Sequence, residues 1–159
     1  MAFSVLSIGS NLGDRELNLA GAFEKLELLP DTSIVAISSV YETTPVEVSS
    51  KQNNFLNCCV RIETGLSPNE LLEHTMEIEK DMGRVRLEYH GARTLDIDIL
   101  FYDDLIIKTN TLTVPHPGIR NRAFVLCPLY DLFPGCCVGS FNFREDLEKI
   151  DKSEIWLYK

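Results

Sequence analysis

Long apolar runs are missing from this sequence, and so is the basic N-terminal segment with which a secretory signal peptide begins. A membrane-spanning helix needs about 20 consecutive apolar residues, and no stretch of the chain approaches that length. The cysteine count is odd, at five, and no Cys-x-x-Cys motif occurs, which argues against a disulfide framework and against structural zinc. We therefore expect an intracellular, cytoplasmic protein with reduced thiols.

Basic residues are also scarce, since 15 lysines and arginines stand against 24 aspartates and glutamates, for a formal net charge of −9. That charge disfavours non-specific binding to nucleic acid or to an anionic membrane, and we expect neither as a partner. Five of the eight arginines nevertheless lie between positions 84 and 122: Arg84, Arg86, Arg93, Arg120 and Arg122. A local cluster of this kind can still hold a nucleotide.

The spacing of apolar residues predicts a single domain, 1–159, built from alternating strands and helices. We predict strands at 3–8, 34–41, 55–63 and 95–101, a short hairpin strand at 105–108, and helices starting at Asp14 and at the Ser67–Glu70 capping box, with further helices at 123–132 and 144–150. The order strand–helix–strand–strand–helix–strand is typical of a ferredoxin-like α+β fold. It implies an antiparallel sheet with helices on one face and, here, catalytic loops over the other.

Asp96 and Asp98 alternate with Ile97 on the fourth predicted strand, so both carboxylates project from one side while the isoleucine points into the core. Two carboxylates this close repel each other. A Mg²⁺ ion relieves that repulsion, since it typically takes one or two carboxylates together with substrate phosphates. A solvated strand face with alternating charge would give the same pattern, so the pair by itself leaves both interpretations open.

Two connections, 42–54 and 83–94, are long for so small a domain, which is typical of functional loops. The second contains Gly83, Arg84, Arg86, Gly91 and Arg93. We predict that it closes over phosphates as a lid, with the glycines at its ends acting as hinges. Each arginine taken singly could equally be a solvated surface charge.

Four further side chains are candidates for a binding site, each with a structural alternative. Phe55 and Asn57 share one strand face, where they could stack on a flat ring and bond to its edge, or simply form a sheet-edge contact. Glu79 lies at the edge of an apolar helical stripe and could instead pair with a neighbouring cation. His116, held between two prolines, could be aimed at a phosphate or serve as a turn residue.

Taken together, seven ordered segments make the chain resemble the 6-hydroxymethyl-7,8-dihydropterin pyrophosphokinases of folate biosynthesis. They are Ile8–Gly13, Tyr41–Pro45, Phe55–Asn57, Gly83–Arg86, Gly91–Ile99, Leu112–His116 and Asn121–Phe124. The resemblance covers nearly the whole chain. It implies an ATP- and Mg²⁺-dependent enzyme that moves the terminal diphosphate of ATP to a pterin alcohol and releases AMP. Neighbouring enzymes of the folate pathway are candidate partners.

The resemblance also implies a role for individual residues. Asp96 and Asp98 would bridge two Mg²⁺ ions and, with Arg84 and Arg93, form the catalytic set. The pterin would be bound by Phe55 and Phe124, which sandwich its ring, and by Thr43, Val46 and Asn57 around its edge. ATP would be bound by Glu79, Arg84, Arg86, Arg93, Ile99, Thr113, His116 and Arg122.

Some positions depart from the residues found in other members of that family. His90, Pro117, Thr111 and Met76 stand where a tryptophan, a tyrosine, an arginine and a glutamine occur. These departures concern lid closure and nucleotide contacts.

The residues do not identify a general base, for which Asp98 and a metal-bound water are both candidates. A ligand-sensing ferredoxin-like domain and a metal-dependent phosphohydrolase are the alternative functions, and the nucleotide product distinguishes them.

Overall fold

The computed structural model describes residues 1–45, 53–83 and 94–159. In these ranges the strands are β1 (Ala2–Ser10), β2 (Thr32–Ile37), β3 (Tyr41–Thr43), β4 (Phe55–Thr64), β5 (Asp96–Tyr102), β6 (Ile107–Lys108), β7 (Thr113–Val114), β8 (Cys137–Val138), β9 (Phe141–Asn142) and β10 (Ile155–Leu157). The helices are α1 (Arg15–Glu27), α2 (Pro68–Asp81), α3 (Ala123–Leu132) and α4 (Arg144–Lys149), with a 3₁₀ turn at Ile119–Asn121. None of these helices is long and apolar enough to cross a membrane.

The main sheet has the strand order of a ferredoxin-like fold. β1 lies at its centre and pairs antiparallel with β5 on one side and with β4 on the other. The outer edge of β4 is occupied by β2 along one half and by β3 along the other. The predicted antiparallel α+β sheet is confirmed.

Helices α1 and α2 cover one face of this sheet, as predicted. Asp14 caps α1 by accepting a hydrogen bond from the backbone N of Leu17, and the capping box of α2 is complete, with Ser67 and Glu70 each bonding the other's backbone N. The apolar positions of both helices are buried with one side of the strands: Leu19, Ala22, Leu26, Leu71 and Ile78 against Leu6, Ile8, Leu56, Val60 and Ile97. This first core is the one that the hydrophobic spacing predicts.

A second core lies on the opposite face, under α3. Val125, Leu126 and Leu129 of this helix are buried against Val5 and Cys59 and against Leu100 and Phe101 of β5. Leu100 is a β-bulge residue, because Leu6 pairs with Ile99 while Val5 pairs with Phe101. Half of the face that was expected to carry only loops is therefore covered by a helix.

The predicted strand 34–41 is interrupted in the structure. The backbone N of Ser38 donates to Cys59 O at 2.9 Å, but the backbone N of Cys59 donates to the hydroxyl Oγ of Ser38 at 2.8 Å and not to a carbonyl. A serine hydroxyl can replace a backbone acceptor and so break a ladder, which explains why β2 and β3 are separate strands.

The hairpin predicted between β5 and the strand that follows it is wrong. β6 pairs with β7, with Ile107 opposite Val114, and not with β5. The C-terminal segment adds β10 to the sheet next to β3, with Ile155 opposite Thr43. Helices α3 and α4 occupy the predicted positions to within one residue.

Candidate active site

Asp96 and Asp98 lie on the second face of the sheet, at the end that α3 does not cover. Ile97 between them is 6% exposed and belongs to the first core, whereas both aspartates are partly exposed. In the register of β1 and β5, Asp96 stands beside Gly9 and Asp98 beside Ser7. The predicted alternation is confirmed, and the two carboxylates project side by side from a sheet edge.

Glu79 supports the strand between the two aspartates. It lies on α2, is 6% exposed, and its Oε2 accepts a hydrogen bond from the backbone N of Ile97 at 2.8 Å. A buried carboxylate needs such partners, and one of them here is the peptide group that joins Asp96 to Ile97. The structure thus gives Glu79 a buried position beneath the aspartates, while its contact with ATP stays a prediction.

Across β1 from Asp96 lies a group of polar and aromatic side chains on β3 and β4. Asn57 folds over Gly9, and a Cβ on Gly9 would lie 2.5 Å from Asn57 Oδ1, so only glycine leaves room for this amide. Asn57 Nδ2 donates to Thr43 Oγ1 at 2.9 Å, and both residues are buried. Phe55, which pairs with Thr43 in the register, is partly exposed beside them. The structure therefore brings Thr43, Phe55 and Asn57 together, as predicted.

Strand spacing gives the separation between this group of side chains and the aspartates. Asn57, Gly9 and Asp96 follow one another across β4, β1 and β5 in one row. Neighbouring strands lie about 4.8 Å apart, so the backbones of Asn57 and Asp96 are about 10 Å apart. A flat bicyclic ring with a short side arm can span that distance.

The segment from β7 to α3 borders the aspartates on their other side. The backbone N of His116 donates to Leu100 O at 2.9 Å, which ties the segment to β5. His116 Nδ1 accepts from the backbone N of Gly118 at 3.0 Å, and a Cβ on Gly118 would lie 2.7 Å from the guanidinium carbon of Arg122. His116 and Arg122 therefore flank one glycine.

Burial is the main cause that lowers the pKa of His116, and the positive charge of Arg122 lowers that pKa further, against an opposing effect of Asp96. Its imidazole is therefore neutral near pH 7, and because Nδ1 accepts a hydrogen bond, the proton sits on Nε2. His116 offers a neutral N–H donor rather than a base. This tautomer is assigned from the hydrogen bond.

Phe124, the second residue of α3, joins the site to the second core. Its ring packs against that core and lies 5.6 Å from the guanidinium carbon of Arg122. Thr113 on β7 is partly exposed, but the side chain of Ile99 is 4% exposed and points into the first core. Any contact of Ile99 with a ligand must therefore use its backbone.

Four predicted site residues, Val46, Arg84, Arg86 and Arg93, lie outside the described residues, as do His90 and the rest of the lid at 84–93. In the part of the chain that the structure describes, no group of three or more His, Cys, Asp or Glu side chains is placed to hold a metal ion. The pair Asp96 and Asp98 nevertheless fits Mg²⁺, because that ion takes its other ligands from phosphates and water.

Sequence reasoning missed the role of Gly9 and the burial of Glu79. A glycine inside an apolar strand is a signal of close backbone approach, and it could have identified Gly9. For Glu79, the sequence shows only a carboxylate at the edge of an apolar stripe. Its bond to Ile97 joins residues 18 apart in sequence and depends on how α2 packs beside β5.

The sequence matches a known protein family. Residues 5–134 match the family model of 7,8-dihydro-6-hydroxymethylpterin-pyrophosphokinase (HPPK). A 2-amino-4-hydroxy-6-hydroxymethyldihydropteridine pyrophosphokinase of Methylorubrum extorquens is 42% identical over 155 residues, 98% of each chain. The enzyme of the same name from Bacillus subtilis is 44% identical over 127 residues, 80% of this chain and 75% of its own.

Among solved structures, Plasmodium falciparum HPPK-DHPS with pteroate superposes with a TM-score of 0.71 over 93% of this chain and 42% of that longer one. At 17% identity this likeness concerns the fold alone. The sequence matches carry the assignment further, since one of them runs over nearly the full length of both proteins. The resemblance noted from the motifs is confirmed, and the chain belongs to the 7,8-dihydro-6-hydroxymethylpterin-pyrophosphokinase family.

Proposed function

We propose that the end of the sheet formed by Thr43, Phe55, Asn57, Asp96 and Asp98 is where this pyrophosphokinase transfers diphosphate from ATP to 6-hydroxymethyl-7,8-dihydropterin, in folate biosynthesis. One observation carries the proposal. Side chains suited to a flat heterocycle and a pair of carboxylates suited to metal-bound phosphates lie on one face of the sheet, separated by a single strand that presents glycine.

On the pterin side, Phe55 and Phe124 supply aromatic faces for stacking, and Asn57 supplies an amide. Asn57 Nδ2 is held by Thr43, so the orientation of the amide is fixed before any ligand arrives. A preorganised donor and acceptor lose less entropy on binding. Val46 completes this group in the proposal.

On the nucleotide side, Asp96 and Asp98 hold Mg²⁺ with the triphosphate of ATP. When bound, the ions withdraw charge from the phosphate oxygens and orient them. Arg84, Arg86, Arg93 and Arg122 add positive charge around the phosphates, and His116 donates from Nε2. Glu79 holds Ile97 in place beneath the aspartates.

Ile99 and Thr113 complete the nucleotide site. Ile97 turns its N–H towards Glu79 and away from β1, and residues two apart on a strand share that direction. The backbone groups of Ile99 therefore face the outer edge of β5, next to β7. In the proposal they bind the edge of the adenine ring, and Thr113 lies beside it.

In the reaction, the hydroxyl oxygen of the pterin forms a bond to the β-phosphorus while the bond from that phosphorus to the α,β-bridging oxygen breaks. AMP leaves with the electron pair of the broken bond, and the hydroxyl proton passes to a base or to solvent. The protein contributes positioning and charge stabilisation, which are the main factors in phosphoryl transfer.

The test replaces Asp96 and Asp98 with asparagine, one at a time, and separates the nucleotides formed from ATP, Mg²⁺ and the pterin alcohol. We expect AMP production to fall on the order of 10³-fold and the thermal midpoint to change much less than the activity, because both side chains are partly exposed and asparagine keeps their shape. Asp31→Asn is the matched control. Asp31 is exposed at the far end of the sheet, in a left-handed conformation that asparagine tolerates.

Near-normal AMP production by Asp96→Asn and Asp98→Asn would show that the assignment of these residues is wrong. ADP in place of AMP from the unmodified protein would indicate a kinase or a hydrolase, and no turnover would favour a ligand sensor.

Two broader features belong to the same proposal. The five cysteines are free thiols, as expected in a reducing compartment such as the cytoplasm. A neighbouring enzyme of the folate pathway is a candidate partner, because the matched Plasmodium falciparum chain is named HPPK-DHPS and is more than twice as long as the matched part.

A further inference from the structure

Arg15, at the first position of α1, contacts both β3 and the residue that precedes β4. Its Nη1 lies 2.7 Å from Glu42 Oε2 on β3 and donates to Asn54 O, just before β4, at 3.0 Å. The side chains of Arg15 and Glu42 are 25% and 29% exposed. This ion pair is therefore only partly screened by solvent, unlike the exposed pair Lys149–Glu145, at 74% and 79%.

The two groups that Arg15 binds are the immediate neighbours of two pterin-side residues. Glu42 precedes Thr43, and Asn54 precedes Phe55, and Thr43 and Phe55 face each other at the end of the β3–β4 ladder. β3 is three residues long, so the ladder supplies few hydrogen bonds to fix this junction. The guanidinium supplies a cross-link at the point where the ladder ends.

The C-terminal segment reinforces the same junction. Trp156 of β10 stands opposite Glu42, and Thr44 Oγ1 donates to Glu154 Oε2 at 2.9 Å. The ring of Tyr158 covers Arg15, with its centroid 5.9 Å from the guanidinium carbon. Glu16 accepts hydrogen bonds from Tyr158 and from Lys159. The C-terminal residues therefore hold the start of α1, including Arg15, against β3.

We propose that Arg15 is a positioning residue for the pterin: by holding Glu42 and Asn54, it sets the spacing between Thr43 and Phe55. This inference rests on the proposed function, because it concerns the ring-binding side of that site. Thr43 and Phe55 would contact the pterin ring before and during the reaction alike. Loss of their alignment therefore weakens pterin binding and leaves the chemical step almost unchanged.

The experiment compares Arg15→Gln and Arg15→Lys with the unmodified enzyme. For Arg15→Gln we expect the KM for the pterin to rise about 3- to 10-fold, with kcat and the KM for ATP within twofold. Arg15→Lys keeps a charge for Glu42 and should recover part of the loss. Arg144→Gln is the control, since Arg144 is exposed and donates to a backbone carbonyl, Gly135 O, away from the site.

A double-mutant cycle with Glu42→Gln sharpens the test, because two residues that act through one contact give non-additive effects. Direct calorimetric titration with the pterin and an ATP analogue measures the same shift without turnover. A lowered thermal midpoint with an unchanged pterin KM and unchanged pterin affinity would show a merely structural role and overturn the inference. If the unmodified enzyme releases no AMP, the proposed function fails, while the titration still decides the role of Arg15 in pterin binding.

Discussion

One face of the sheet has two ends that differ in what covers them. At the end under α3, Val5, Cys59 and Phe101 are at most 2% exposed and belong to the second core. At the opposite end, the same three strands present Gly9, Asn57 and Asp96, which do not belong to the second core. We call the first the covered end and the second the polar end.

This difference shows how a small domain can hold a site whose residues do little to stabilise the fold. A strand glycine has no side chain to pack, and two neighbouring carboxylates of like charge repel each other. The covered end, two to five residues away on the same strands, supplies apolar burial on the same backbone. Rigid strands anchored at one end can then hold polar groups in position at the other. Mutations at the covered end should therefore mainly lower the unfolding free energy, and mutations at the polar end should mainly lower ligand binding or activity.

The largest effect is expected at the covered end. Leu126 on α3 is fully buried, so Leu126→Ala should cost about 2–5 kcal/mol of unfolding free energy, because it removes apolar contacts and leaves a cavity. At a temperature well below the midpoint, kcat should stay within about threefold of the unmodified enzyme. Denaturant unfolding and AMP assays measure the two quantities. Leu28→Ala, at a leucine that is 84% exposed, is the control and should change neither.

A medium effect is expected for Phe55 and Phe124, of which only Phe124 packs against the second core. Phe55→Ala and Phe124→Ala should each weaken pterin binding by about 1–3 kcal/mol, the scale of aromatic stacking, and leave ATP affinity nearly unchanged. Only Phe124→Ala should also lower the unfolding free energy, because its ring packs on the second core. Calorimetry and unfolding measure both. A loss of ATP binding instead would mean that the two sites are reversed.

The smallest effect is expected inside the polar end. Gly9→Ala places a Cβ 2.5 Å from Asn57 Oδ1, so the amide must rotate and lose its bond to Thr43. A net hydrogen bond contributes about 0.5–1.5 kcal/mol, which corresponds to a two- to tenfold rise in the KM for the pterin. The unfolding free energy should change less than for Leu126→Ala. An unchanged KM would show that the Asn57–Thr43 bond does not orient the amide for the ligand.

Sequence reasoning succeeded where local chemistry decides the structure. The capping box at Ser67 and Glu70 and the cap at Asp14 fixed two helix starts, because each involves residues three apart. The alternation around Ile97 placed Asp96 and Asp98 on one face, because the period of a strand is two. The resemblance to the family assigned Thr43, Phe55 and Asn57 to one binding site, and the structure places them next to one another.

It failed where distant residues compete for the same backbone groups. The break at Ser38 depends on a hydrogen bond to Cys59, 21 residues away, and the partner of β6 depends on β7. The position of β10 beside β3 joins residues more than 110 apart, and no local pattern indicates it. The second core under α3 was missed because half of a sheet face was assigned to loops.

The bulge at Leu100 has a consequence for insertions and deletions in this family. Before it, even-numbered residues of β5 face the site. After it the phase reverses, and Phe101 follows Leu100 into the second core while Tyr102 turns to the first. A chain one residue shorter here would exchange inward and outward side chains in half the strand. Homologous sequences should therefore tolerate length variation in the turn after Tyr102 but keep the interval between the second aspartate and the aromatic pair constant.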